Sequence, residues 1–157
     1  MLDQLSADLR GWTHALTPMA VPEVDRLSGR IKGLPVRGHL AIPPVVLDVS
    51  ERDRVEGTVT FGPYFLGGGA AAHGGVIMMV FDEVLGIQAS AGGRRAARTA
   101  YLRTDFRSVV PIDVPVRVRA WFDREEGRKR YIRGDMSVGD TLCAEVDSLF
   151  VELRHQA

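Results

Sequence analysis

The spacing of apolar residues changes period along the chain, and each change marks an element. Residues 2 to 16 carry Leu2, Leu5, Leu9, Trp12 and Leu16 at steps of three and four. That pattern predicts an amphipathic helix, expected to pack on the domain rather than to reach for a partner. "GLPVRGHLAIPPV" follows, a connector in which Pro35, Gly38, Pro43 and Pro44 break any regular element. From Val45 the period drops to two. Val55, Gly57, Val59 and Phe61 alternate with Arg54, Glu56, Thr58 and Thr60, the signature of a half-buried strand. A Gly/Ala loop, 67–75, leads into a helix that is apolar in every direction and ends near Gly92-Gly93. Four strand-like runs close the chain, at 98–108, 114–122, 129–138 and 141–153. "DREEGRK" and "VGDT" supply hairpin turns between them.

Short links among the last four runs imply antiparallel pairing. A helix apolar all round has to be buried, and a curved antiparallel sheet wrapped around it would bury it. The predicted class is therefore α+β, with an N-terminal helical extension and connector over 1–44 and a single sheet-and-helix domain over 45–157. No internal repeat is visible.

The apolar helix contains two acids, Asp82 and Glu83, beside Met79, Val80 and Phe81. A carboxylate in such surroundings must reach solvent, find donors or hold a raised pKa. The helix opens on "HGG". There Gly74 and Gly75 offer unpaired backbone N–H groups at the positive end of the dipole, and glycine lets a ligand come close. An anion or a developing oxyanion suits that place. Eight residues of helix separate Gly74 from Asp82, roughly 12 Å of rise. One reacting carbonyl cannot touch both. Two antiparallel copies of the helix would set Gly74 of one against Asp82 of the other, so a catalytic reading predicts a two-fold dimer with composite sites.

Composition narrows the partners. Twenty basic and twenty acidic residues give zero net charge, which disfavours nucleic acid and membrane surfaces. The single Cys143 excludes an internal disulfide framework and fits a reducing compartment. With no leader-like start and no apolar run near ~18 residues, the expected location is the cytosol, without membrane insertion. His14, His39 and His155 show no ligand spacing and neither HExxH nor CxxC occurs, so no metal and no other cofactor is expected. There is no G-x-S-x-G, and "GGGAAAHGG" lacks the Lys-Ser/Thr of a phosphate-binding loop.

"HGGVIMMVFDEVLG", "TAYLRTDFRSVVPI", "EGRKRYIRGDMS" and "AEVDSLFVEL" together resemble the hotdog-fold acyl-CoA thioesterases, in particular the PaaI-like and THEM-like branch. The resemblance runs in order from about Val45 to Leu153. It implies an antiparallel sheet around a central helix, a homodimer or dimer of dimers (a homotetramer), and hydrolysis of a fatty or other acyl-CoA in lipid metabolism. It assigns the oxyanion-binding N–H to Gly74, the general base or nucleophile to Asp82, and the positioning of water to Thr99. The segment 67–72 has no Asn where PaaI enzymes carry one, a departure from the phenylacetyl-CoA type.

Around those positions, His73 caps the helix and shapes the turn, with direct substrate contact as the lesser reading. Gly75 and Glu83 are candidate substrate contacts; Glu83 is rotated ~100° from Asp82, so only one of the two can face the reacting bond. Coenzyme A brings phosphates, for which Arg107, Arg128, Lys129 and Arg130 are the candidate partners. The competing reading is a hotdog protein that binds acyl-CoA without cleaving it.

Overall fold

The computed structural model describes residues 1–20 and 41–154. Part of the connector, including Pro35 and Gly38, and the candidates His39 and His155 lie outside them. Helix α1 (Leu2–Leu16) ends in a 3-10 turn through Met19. Strands β1 (Val45–Ser50) and β2 (Arg54–Thr60) follow, then a short ribbon of β3 (Leu66–Gly68) and β4 (Ala71–Ala72). Helix α2 (Gly74–Ser90) comes next, then β5 (Ala97–Phe106), β6 (Pro115–Glu126), β7 (Lys129–Val138) and β8 (Thr141–Glu152). Six strands form one antiparallel sheet in the order β1-β2-β6-β7-β8-β5, so β1 and β5 are its edges.

The period-two pattern does what it predicts. Val55 and Val59, Val116, Val118 and Ala120, and Ile132 and Met136 turn to one face of the sheet and are buried. Against that face α2 lays Ile77, Val80, Phe81, Val84 and Leu85, also buried. Gly134 makes the approach possible. A Cβ there would lie 2.6 Å from the Arg119 carbonyl oxygen and 3.3 Å from Leu85 Cδ1, so a side chain would push helix and sheet apart.

The expected antiparallel sheet packed on a long central helix is present, and it leaves that helix partly open. The sheet of one chain covers one side of α2 only. Val76, Met78, Met79 and Ile87 stay partly exposed, and Asp82 is exposed. One sheet covers one side of a helix, so this flank of α2 keeps apolar surface open among the described residues. Against expectation, α1 does not pack on the domain: none of its residues is buried. Its apolar side chains stand in solvent because none of the described elements lies against them. Measured as a helix, Gly74–Gly93 is long and apolar enough to cross a membrane by length and composition, unlike the run expected from sequence. Its seven buried residues on the sheet mark it as a core helix.

Candidate active site

His73 is the N-cap of α2, held extended at φ −65° and ψ 127°. Its carbonyl oxygen accepts the N–H groups of Val76 and Ile77, and its own N–H donates to the Phe65 oxygen at 2.8 Å. The Gly75 N–H donates to His73 Nδ1 at 3.0 Å. This fixes the neutral ring with its proton on Nε2. Of the two glycine N–H groups at the helix start, His73 therefore takes that of Gly75. Among the described residues, nothing accepts from the Gly74 N–H. It is the open donor at the positive end of α2. Phe106 closes over it: a Cβ on Gly74 would lie 3.3 Å from Phe106 Cζ.

Asp82 stands two turns further along the helix. Thr99 donates its hydroxyl to Asp82 Oδ1 at 2.7 Å, and among the described residues nothing donates to Oδ2. The strand geometry that delivers Thr99 is irregular. Thr99 pairs with Phe150 and Tyr101 with Leu149, with a register shift between them at Ala100. In a regular strand Thr99 and Tyr101 would share a face. The bulge turns Thr99 toward α2 and Tyr101 to the outer face, beside Arg103.

Two clefts meet at this pair. One, of about 600 Å³, is lined by Asp82, Thr99, Glu83, Ser90, Arg98 and Ser50 among others. The other, of about 560 Å³, is formed by Asp82 and Thr99 with Ile42, Met78, Met79 and Leu102. Asp82 thus sits where the more polar cleft, which also has Ile87, Ala97 and Phe150 in its wall, gives way to a mainly apolar one. Glu83, half-buried, lines the polar cleft alone, so only Asp82 of the adjacent acids faces both. Neither cleft includes Gly74, whose neighbour His73 lines a separate hollow with Tyr64, Leu66 and Met79. Within one chain the two halves of the chemistry stay apart, as eight residues of helix require.

The cationic candidates scatter. Arg107 donates to Glu145 Oε2 at 2.7 Å on an exposed surface, and that bond raises its pKa further above the ordinary guanidinium value. Arg128 and Lys129 are exposed on the β6–β7 turn, Arg128 donating to the Glu152 carbonyl at 3.0 Å. Arg130 is buried. It donates to the carbonyls of Ala89 and Arg95, both at 2.7 Å, and to Glu152 Oε2 at 2.6 Å, so its guanidinium is spent on tying down the end of α2. A cation that sequence reasoning passed over, Arg98, is exposed in the polar cleft with Asp82. Its place beside Thr99 in the chain was the available signal. Among the described residues, no group of three His, Cys, Asp or Glu could hold a metal ion.

A profile of the thioesterase superfamily matches residues 69–145, the stretch from the glycine loop through most of the sheet. Acyl-coenzyme A thioesterase THEM4 of Bos taurus is 28% identical over 143 residues; the alignment takes in 90% of this chain and 59% of that protein's length. A solved thioesterase superfamily protein superposes with a TM-score of 0.76 at 29% identity, over 96% of this chain and 78% of its own. A Streptococcus mutans UA159 protein solved with acetyl CoA bound superposes at 0.66, with 13% identity, over 72% of this chain and 91% of its own. The last likeness concerns the fold alone.

Proposed function

From the premise that this chain belongs to the thioesterase superfamily, with a hotdog fold, we propose that it hydrolyses the thioester bond of an acyl-CoA, using Asp82 of one protomer and Gly74 of its partner. The observation that carries this reading is the Thr99 hydroxyl on Asp82 Oδ1 at the seam of a polar and an apolar cleft. Thr99 holds the carboxylate still, and Oδ2 is left to take a proton from water. The water oxygen attacks the thioester carbon. The carbonyl oxygen gains the negative charge and meets the Gly74 N–H, which has no competing acceptor. Collapse breaks the C–S bond, and the CoA thiolate leaves as the thiol with the proton that Asp82 took up. No step asks for a metal. The likeness to the acyl-coenzyme A thioesterase of Bos taurus supports the substrate class. The bare flank of α2 and the open edge of β5 support the dimer that the two-part site needs.

The test is thiol release across a panel of acyl-CoAs. Wild type is expected to cleave part of the panel and Asp82→Asn to lose about 100- to 10,000-fold in kcat, the range for a general base. Hydrolysis by Asp82→Asn at the wild-type rate refutes the assignment. Binding without cleavage by wild type gives the protein a carrier or regulatory role instead. Single-turnover hydrolysis in H₂¹⁸O identifies one route: label recovered in Asp82 requires a mixed anhydride split at the Asp82 carbonyl, whereas label in the product acid alone fits a base or an anhydride split at the acyl carbon.

A further inference from the structure

The proposal concerns α1, which the site does not use. Six apolar residues, Leu2, Leu5, Leu9, Trp12, Leu16 and Met19, follow one another at steps of three, four, three, four and three. Read as a heptad, Leu2, Leu9 and Leu16 take position a and Leu5 and Trp12 take position d within α1, while Met19 falls at the next d in the 3-10 turn that follows. Every other position from Asp3 to Pro18 is polar, small or proline. That is the narrow two-in-seven seam of helices that pair with helices; a helix lying on a broad apolar surface adds e or g positions to its stripe. All six side chains are exposed in the single chain, Trp12 by 70% and Met19 by 73%. The outer face offers little to a membrane. It carries Asp3, Asp8 and Arg10 with His14, without the Lys/Arg excess that draws interfacial helices to anionic lipid.

We infer that α1 pairs in parallel, along this seam, with α1 of a second copy of the chain. Two and a half heptads are too short to associate well on their own, since isolated helices of this length are marginal in water. The pair needs its two members already held together, and the homodimer of the proposed function would do that, so this inference rests on that reading. Tethering turns the second contact into an intramolecular one, at an effective concentration set by the linker. Twenty residues, 21–40, join α1 to the body. Fully extended they reach at most about 70 Å, enough for two α1 helices on one dimer to meet. The pair is then a second clasp on the dimer, remote from Asp82 and Gly74.

Trp12 reports the pairing. In the full chain carrying Trp121→Phe, the other tryptophan is removed and Trp12 emission is expected to be blue-shifted, as for an indole out of water. In the proposed parallel pair, position a faces position a of the other copy, so Leu9, near the middle of the seam, meets its counterpart. Leu9→Glu and Leu9→Lys, each alone, are expected to return Trp12 to a solvent-exposed emission, with thiol release unchanged. Co-expressed with two affinity tags and isolated as the mixed dimer, the two variants are expected to recover the blue shift, because Glu meets Lys only across copies. A wild-type dimer with solvent-exposed Trp12 overturns the clasp and leaves the proposed function standing. A blue shift that the mixed dimer fails to recover places α1 on its own body and overturns it too. A shift that needs phosphatidylcholine vesicles assigns the seam to a lipid surface. A chain that sediments as a monomer removes the clasp and the composite site together.

Discussion

The two α-helices among the described residues are almost equally long, yet they leave apolar surface uncovered in opposite ways. Helix α1 is a narrow apolar seam on a polar cylinder, and none of its residues is buried among the described residues. Helix α2 is apolar almost all round. The sheet buries one side, and the other stays half-open around Asp82. The difference lies in what each contributes to the fold. The core is built on α2, with Phe81, Val84 and Leu85 fully enclosed, and removing it would leave the sheet without a face to pack on. The core of the body draws no buried residue from α1.

The largest effect that would break this contrast is on stability. Arg130→Met strips the end of α2 of a buried guanidinium and leaves Glu152 and two carbonyls without their donor. About 3 kcal/mol of unfolding free energy should be lost, as when one partner of a buried ion pair is removed. Leu9→Ser in α1 should move the urea midpoint of the body by no more than about 0.5 kcal/mol equivalent, the usual scale for a surface change. If the two variants shift the midpoint equally, α1 is part of the folding unit and the contrast fails. A smaller effect concerns Thr99. Thr99→Val removes the hydroxyl from Asp82 Oδ1. Since a hydrogen bond to a charged group is worth about 1.5–3 kcal/mol, kcat should fall roughly 10- to 100-fold with KM little changed. A loss confined to KM would mean that Thr99 only shapes the cleft.

The smallest effect is electrostatic and lies on the outer face of the sheet, away from both helices. The Arg117 guanidinium bonded to Glu56 holds that carboxyl below its ordinary 4.5. A group whose folded pKa is lowered adds stability above its unfolded value and gives it up as pH falls through the folded one. Arg117→Gln should therefore cost about 0.5 kcal/mol at pH 7, a figure already reduced for solvent screening. The difference should vanish below the folded pKa of Glu56. Urea midpoints of the two proteins at pH 7 and pH 3 check the sign.

Much of this was legible in the chain. Period two in residues 54–61 and in the last four runs gave the strands, and "HGG" followed by Asp82 marked the two halves of the candidate site and the helix length between them. What stayed hidden depends on geometry that periodicity does not carry. Strict alternation through 98–108 puts Thr99 on the same face as Arg103; the bulge at Ala100 reverses it. Arg130 and Arg128 look alike in "EGRKR". Only the fold shows that one is buried beneath the end of α2 and the other stays on the turn. Gly74 and Gly75 likewise differ only once His73 Nδ1 is seen to accept from Gly75. For α1 the pattern was plain from the first residues, but a seam in sequence does not say which surface it meets.

The central claim is that each site takes its carboxylate from one protomer and its oxyanion donor from the other, and complementation between two inactive variants tests it. Asp82→Asn removes the base. Gly74→Pro removes only an N–H. Gly74 is the first residue of α2, where proline is tolerated, and His73 before it is already extended, as a residue preceding proline prefers. Phe106 has to give by a few tenths of an ångström. Each homodimer should be slowed about 100-fold or more. In a purified mixed dimer, composite sites would place both lesions in one site and leave the other intact, recovering about half the wild-type activity per dimer. If each chain held a complete site, every site would carry one lesion, and the mixed dimer would be as inactive as its parents.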